Sequence, residues 1–251
     1  MANWEHLILL TKGAKLWNEW RDRYQTQPDL SGINLTKLDL SGFNLSRTNF
    51  TRADLSFTSF YQGRLALSNL TRSNLIGAHL AGSDLKCATL IGARLIGTQL
   101  MAANLTGCAL LGANLTHADC VESNFTGADL SRADCSNALF TGGNLKCARL
   151  AGANFQRANL ERTDLRRTNA RRANFTQATL LHAFIDQANF KHAILIDTRF
   201  DREQLQTLEF DALKQGALGV AIPKDLRFED FDLFEGDGAG ASGAARTEAV
   251  T

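Results

Sequence analysis

Proline is nearly missing from this chain, with two residues against 20 glycines. The backbone must turn without proline-set φ angles, and regular structure with glycine-assisted turns is expected. Cysteine is scarce and odd in number, five residues at irregular spacing with no Cys-x-x-Cys pair. That pattern excludes a disulfide framework and a zinc ribbon and fits a reducing, cytoplasmic setting. An excess of one charge sign is lacking, since the formal net charge is +1; the total points to neither nucleic acid nor a membrane surface. No apolar run approaches the ~18 residues of a transmembrane helix. Glu5 and His6 precede the first apolar stretch and no small-residue cleavage site follows, so a secretory signal is not expected. With 251 residues, 44% hydrophobic and 21% charged, the chain is expected to fold as one large domain or two small ones.

What is present is a repeat of five. From Leu30 to Phe200 every fifth residue forms a grid of 35 positions, and 31 are Leu or Phe; the exceptions are Cys120, Cys135, Ala170 and Ile185. Two residues earlier, from Thr48 to Thr198, all 31 positions hold Ala, Ser, Thr, Gly or Cys. One residue before the grid, Asn or Asp fills 22 of 35. A period of five fits neither a helix nor a flat strand. It fits a chain that turns a corner every five residues. Four sides then close a coil of about twenty residues, and coils stack at strand spacing, ~4.8 Å. Grid residues converge on the axis, and the small residue two before each also points inward. One coil cannot bury its own apolar face, but a stack can.

The runs ADLSR at 128, GANLT at 112 and RANLE at 157 resemble the pentapeptide repeat family, whose motif is A(D/N)LXX. The resemblance covers Leu30 to Phe200. It implies an all-β solenoid, a right-handed quadrilateral β-helix of about eight to nine coils. The opening WNEWRDRYQTQPDLSGINL is similar to the lead-in of cyanobacterial members. The resemblance also implies one functional precedent, because some members protect DNA gyrase by imitating duplex DNA with a negatively charged rod.

The chain divides into an N-terminal helical cap (1–27), the repeat array (28–200), a C-terminal capping helix (201–216) and an acidic tail (217–251). Leu16, Trp17, Trp20 and Tyr24 share one helical side, and Trp4, Leu7 and Ile8 form a second stripe, with Gly13 as the break. These helices cover the first coil or, alternatively, lie on a membrane surface. Ile33, Leu38 and Phe43 stand where small residues stand elsewhere and are expected to meet the cap. Asp201 and Gln204 have the spacing of a capping box opening a helix through Leu205, Leu208 and Leu213, read as a cap or a dimerisation helix. In the tail, Phe228, Phe231 and Phe234 sit three apart among acids, as a docking peptide or a strip packed on the solenoid.

Charge is unevenly placed. Residues 30–200 carry 18 Lys/Arg against 11 Asp/Glu, net +7, while 201–251 are net −6. Arg157, Arg162, Arg166, Arg167, Arg171 and Arg172 occupy outward positions on four successive sides, a girdle around one coil. It reads as a site for an acidic partner or phosphate, or as solvated surface. From Leu95 to Ala118 no charged residue occurs. Ile76, Ile91, Ile96, Met101, Leu111 and Val121 lie outward in or near this zone and stack in pairs twenty apart. They form a partner surface or pack locally along the coil sides. Cys120 and Cys135 read as core residues or as a metal or redox pair. Cys120 stacks against Phe140 and Ala170 against Phe190, small beside large. His79, His117, His182 and His192 are scattered and share no carboxylate or Cys at ligand spacing.

No catalytic constellation, cofactor site or metal site is expected. The chain reads as a non-enzymatic protein-binding or scaffolding module. A gyrase-interacting DNA mimic is the alternative from the family, and the net +7 of the array opposes it. A nucleic-acid or anion binder acting through the girdle is the third.

Overall fold

The computed structural model describes residues 3–24 and 26–204. Of the predicted C-terminal capping helix 201–216, residues 205–216 lie outside the described residues, as does the tail 217–251 with Phe228, Phe231 and Phe234.

Residues twenty apart are bridged in parallel all along the array, from Asp29 with Asn49 to Thr179 with Arg199. Each side contributes one bridged residue, and each side makes three kinds of contact with its neighbours. The grid N–H donates to a carbonyl in the next coil, as Leu75 to Arg94 at 2.8 Å. The residue two after the grid does the same, as Gly77 to Ile96 at 3.0 Å. The residue before the grid donates to the preceding coil, as Asn74 to Ala53 at 2.9 Å. These bonds run between coils, so the chain satisfies its backbone only by stacking.

The corner between two sides is a four-residue turn closed back onto the grid carbonyl, as Ala78 N–H to Leu75 at 3.0 Å. Its third residue lies in the left-handed region at all 34 corners from Gly32 to Asp197, with φ between 52° and 73°. That is the geometry of a type II turn, which ordinarily favours glycine. Here 23 corners carry another residue, and none is Val, Ile or Thr. β-Branched side chains would clash there. They stand one position earlier instead, as at Ile76, Ile91, Ile96 and Val121.

The interior is filled. Of the 35 grid residues 34 are buried, and Phe200, at the end, is partly so. Phe125, Phe140, Phe155, Phe175 and Phe190 form a ladder with successive ring centroids 5.2–5.6 Å apart. Cys120 lies under Phe140 and Ala170 under Phe190 in their columns, the volume compensation expected from the sequence, and Cys135 lies under Phe155 in the same way.

The Asn/Asp preference has a local cause. The side-chain Oδ1 accepts the backbone N–H two residues on, inside the corner, as Ser56 N–H to Asp54 at 3.1 Å and Thr126 N–H to Asn124 at 3.0 Å. Where Asn stands one coil above Asp, its amide donates down the column, as Asn74 to Asp54 at 3.0 Å and Asn154 to Asp134 at 3.1 Å.

Two helices precede the array, α1 (Trp4–Thr11) and α2 (Ala14–Arg23). They break at Gly13, as expected, whose φ of 93° suits glycine. The faces they bury differ from the sequence reading. Trp17 is fully buried with Trp20 packed beside it, whereas Leu16 and Tyr24 are exposed. In α1 the buried side chain is Leu10, with Leu7 and Leu9 partly covered, while Trp4 and Ile8 face solvent. Period alone placed the stripe without knowing where the coil edge would meet it. Phe43 is buried against Trp17, with ring centroids 6.3 Å apart, and Ile33 is partly covered. Leu38 is 45% exposed, so α1 and α2 leave that side of the first coil open.

The first coil lacks a predecessor, and α2 side chains supply its bonds. Asn18 Oδ1 accepts from Asn44 N–H at 2.7 Å, and Trp17 Nε1 donates to Asn44 O at 2.8 Å. Arg21 donates to Ser46 O at 2.6 Å. At the other end residues 202–204 are helical, and Asp201 and Gln204 form the expected reciprocal pair, each backbone N–H bonded to the other's side chain at 2.9 and 3.0 Å. Gln204 Nε2 also donates to Leu180 O and Ala183 O at 2.8 and 2.6 Å. Those carbonyls face where a further coil would sit.

Candidate interaction surfaces

Side chains reach solvent at three of every five positions: the two corner residues after the grid and the bridged residue before it. Twenty-residue stacking sorts them into four corner columns and four side columns. The residues of the predicted apolar zone and of the arginine girdle can all be placed on this map.

The apolar residues form three two-rung ladders, Ile76 with Ile96, Ile91 with Leu111 and Met101 with Val121, on three different corners. Ile91, Met101 and Leu111 are 38%, 46% and 41% exposed; the other three are half-buried. The zone is therefore a belt around consecutive corners, not one flat patch. Phe57 extends the Ile76–Ile96 corner, its ring lying where a side chain on Gly77 would otherwise stand. Sequence reading passed over Phe57, although counting twenty back from Gly77 reaches it.

The six arginines of the girdle occupy all four corners. Arg166 clamps Asp164 through Nε–Oδ1 at 2.9 Å and NH2–Oδ2 at 2.7 Å, with its guanidinium 5.6 Å from the Phe184 ring centroid. Arg157 and Arg167 donate to Gln177 and Gln187 one coil above, at 2.9 and 3.0 Å. Arg162 stands 3.9 Å from Glu161. Arg171 and Arg172 make no ion pair among the described residues. Four of the six are thus engaged by the solenoid itself, and the girdle does not converge on one point.

The core thiols are set against reactivity. Burial pushes the Cys108 thiol up to about 12, and burial followed by neighbouring charge raises Cys120 and Cys135 as well. A thiol held protonated is a poor nucleophile and metal ligand. Among the described residues no group of three or more His, Cys, Asp or Glu is placed to hold a metal ion. One histidine departs from expectation: His182 stands with Nδ1 3.8 Å from Asp201 Oδ2, and that same oxygen accepts the His182 N–H at 2.9 Å. The carboxylate is nineteen residues away in sequence and arrives through the turn of the coil. Its role there is to close the last coil's edge.

The corner carboxylates are stabilised as anions. The Ser56 hydroxyl first, opposed by burial, then the Ser56 N–H and the Asn74 amide hold Asp54 below its ordinary 3.8. The Arg166 fork does the same for Asp164.

The pattern of the Pentapeptide repeats family matches this sequence in 8 copies, over residues 29–65, 68–107, 93–132, 108–146, 133–169, 144–180 and 171–202. The chain belongs to the pentapeptide repeat family. Among solved structures, this pentapeptide repeat protein is similar to HetL, a pentapeptide repeat protein involved in heterocyst differentiation regulation in the cyanobacterium Nostoc sp. strain PCC 7120. The two are 28% identical over 77% of this chain and 96% of HetL, with a TM-score of 0.37. A trypsin-treated form of QnrB1, a plasmid-mediated fluoroquinolone resistance protein, is 18% identical over 76% of this chain and 99% of its own, with a TM-score of 0.45. Rfr23 from the cyanobacterium Cyanothece 51142 is 21% identical over 74% of this chain and 94% of its own, with a TM-score of 0.15. Among curated proteins none matches this sequence.

Proposed function

We propose that this pentapeptide repeat protein is a non-enzymatic binding module that presents its solenoid surface to another protein in the cytoplasm. The observation that carries the reading is the filled interior. The described grid side chains pack into one continuous apolar core, so recognition falls to the outer columns. Those columns hold side chains in fixed ladders, including exposed apolar rungs at Ile91, Met101 and Leu111. The five cysteines, all free, support a reducing compartment. A right-handed coil of about eight to nine turns, with helices covering both ends, belongs to the same proposal.

The test is a pair of surface variants. Ile96→Lys with Leu111→Lys should leave the fold unchanged by circular dichroism and abolish capture of a partner from the native organism. Capture equal to the parent protein would remove the apolar belt from the reading. For the gyrase alternative, the array's net +7 has the wrong sign for imitating duplex DNA. A supercoiling assay should accordingly show no effect of the protein.

A further inference from the structure

One corner of the coil differs from the other three. Read upward in steps of twenty, its left-handed position holds Gly32, Arg52, Arg72, Gly92, Gly112, Arg132, Gly152, Arg172 and His192. The preceding position adds Ile91, Leu111, Arg171 and Lys191, and no acidic residue occurs at either position along the corner. Arg52, Arg72, Arg132, Arg171, Arg172 and Lys191 are exposed, and none makes an ion pair among the described residues. Carboxylates on the flanking sides are occupied: Asp129 by Arg149 at 2.8 Å, Asp54 by Asn74 at 3.0 Å and Asp134 by Asn154 at 3.1 Å.

The order of residues along this edge matters more than its total charge. Two cationic rungs, Arg52 and Arg72, are followed by two apolar rungs, Ile91 and Leu111, and then by Arg132 and the Arg171–Arg172 pair. The glycines make the surface concave. The Arg72 stem lies 3.6 Å from where a side chain on Gly92 would begin, and the Arg132 stem lies 3.9 Å from the same point on Gly152. Gly112, beside Leu111, has open space above it. Depressions of about 670 Å³ and 350 Å³ flank the apolar rungs, one lined by Arg52, Arg72 and Ile91, the other by Arg132, Gly152 and Arg172. At ~4.8 Å per coil, Arg52 to Arg172 spans roughly 29 Å, the reach of about nine extended residues at ~3.3 Å each.

We propose that this corner docks an extended acidic–apolar–acidic segment of a partner protein, its acidic ends on the arginine rungs and its apolar centre on Ile91 and Leu111. The inference rests on the protein-binding reading above and narrows it to one edge and one ligand chemistry. A nucleic acid fits the edge less well. Its phosphates form an unbroken line of charge, which would cross two uncharged rungs of this corner at Ile91 and Leu111. Neither rung is aromatic, so bases would find no stacking platform there.

The experiment uses the full chain and three fluorescent probes. One is a nine-residue peptide with acidic ends and a central leucine pair, the second an all-acidic peptide of equal length, the third a 20-base-pair DNA duplex. Fluorescence anisotropy at near-physiological salt should rank the acidic–leucine–acidic peptide tightest. R72E with R132E should weaken it about tenfold, since each exposed ion pair contributes a few-fold. L111K should weaken it while sparing the all-acidic peptide. Glu122 and Gln62 already occupy the same turn position elsewhere, with φ of 57° and 52°, so the charge reversals are compatible with the backbone. R72Q with R132Q provides a milder pair. The proposal is overturned if no variant alters peptide binding, if the peptide does not bind, or if the duplex binds more tightly. Failure of the peptide alongside a partner lost in the I96K/L111K capture would discard this edge and leave the binding-module reading standing.

Discussion

At the scale of single residues, the corner decides which substitutions the array tolerates. Ala102 sits in the left-handed region at φ 53°. Replacement by glycine removes a steric cost of ~1 kcal/mol and should stabilise by up to about that amount. Replacement by valine at the same place should destabilise by ~1–3 kcal/mol, because a branched Cβ is strained there. Chemical denaturation of the pair checks the sign, and a valine variant as stable as the parent would contradict the steric account. The turn carboxylates bring a pH dependence. Asp54 and Asp164 have folded-state values below the ordinary 3.8. Their contribution is therefore present above that ordinary value and is lost as pH falls through the lowered folded-state values. Melting temperature should be level from neutral pH to about 5 and drop below about 4. Asp54→Asn should reduce that drop. A melting temperature that rose on acidification would show that these carboxylates do not hold the corners.

At the scale of elements, the ends of the array are closed by side chains that stand in for a missing coil. Asn18 and Trp17 satisfy both polar groups of Asn44, and Gln204 satisfies Leu180 and Ala183. Asn18→Ala should cost ~1–3 kcal/mol, since it leaves the Asn44 N–H without its partner, and Gln204→Ala should behave alike. Hydrogen exchange should localise the two effects to the first and last coils. By contrast Leu38→Lys should change stability by less than about 0.5 kcal/mol, because this side chain lies outside the cover of α1 and α2. Uniform exchange throughout the array in all three variants would argue against end-capping by these residues. The sequence pattern revealed that helices precede the array and that they break at Gly13. It misassigned Leu16 and Tyr24 to the buried face, because helical period defines a stripe but not which part of it meets another element.

At the scale of the whole molecule, the unit of stacking is twenty residues, and the core is matched along columns. Removing 101–120, one full coil, should leave the remaining columns in phase and give a folded, less stable protein. Removing the twelve residues 101–112 shifts every later grid position off the axis and should prevent cooperative folding. Circular dichroism and denaturant titration distinguish the outcomes, and two equally folded products would refute axial convergence. The arginine-rich corner also exists only at this scale. Arg52, Arg72, Arg132 and Arg172 are separated by multiples of twenty, so a linear reading saw instead the dense run from Arg157 to Arg172.

Period, inward and outward positions and the identity of the core were legible from the chain alone, because a five-residue rule repeated 35 times leaves one arrangement that buries the Leu and Phe side chains. Three things required the folded coil. The Asn and Asp preference acquired its cause only when their side chains were seen to accept the turn N–H. The helix faces depended on an edge not encoded in the helices. The assignment of charges to corners depended on contacts between residues distant in sequence. Local pattern governs what each residue's own turn requires, whereas capping and surface chemistry arise between coils.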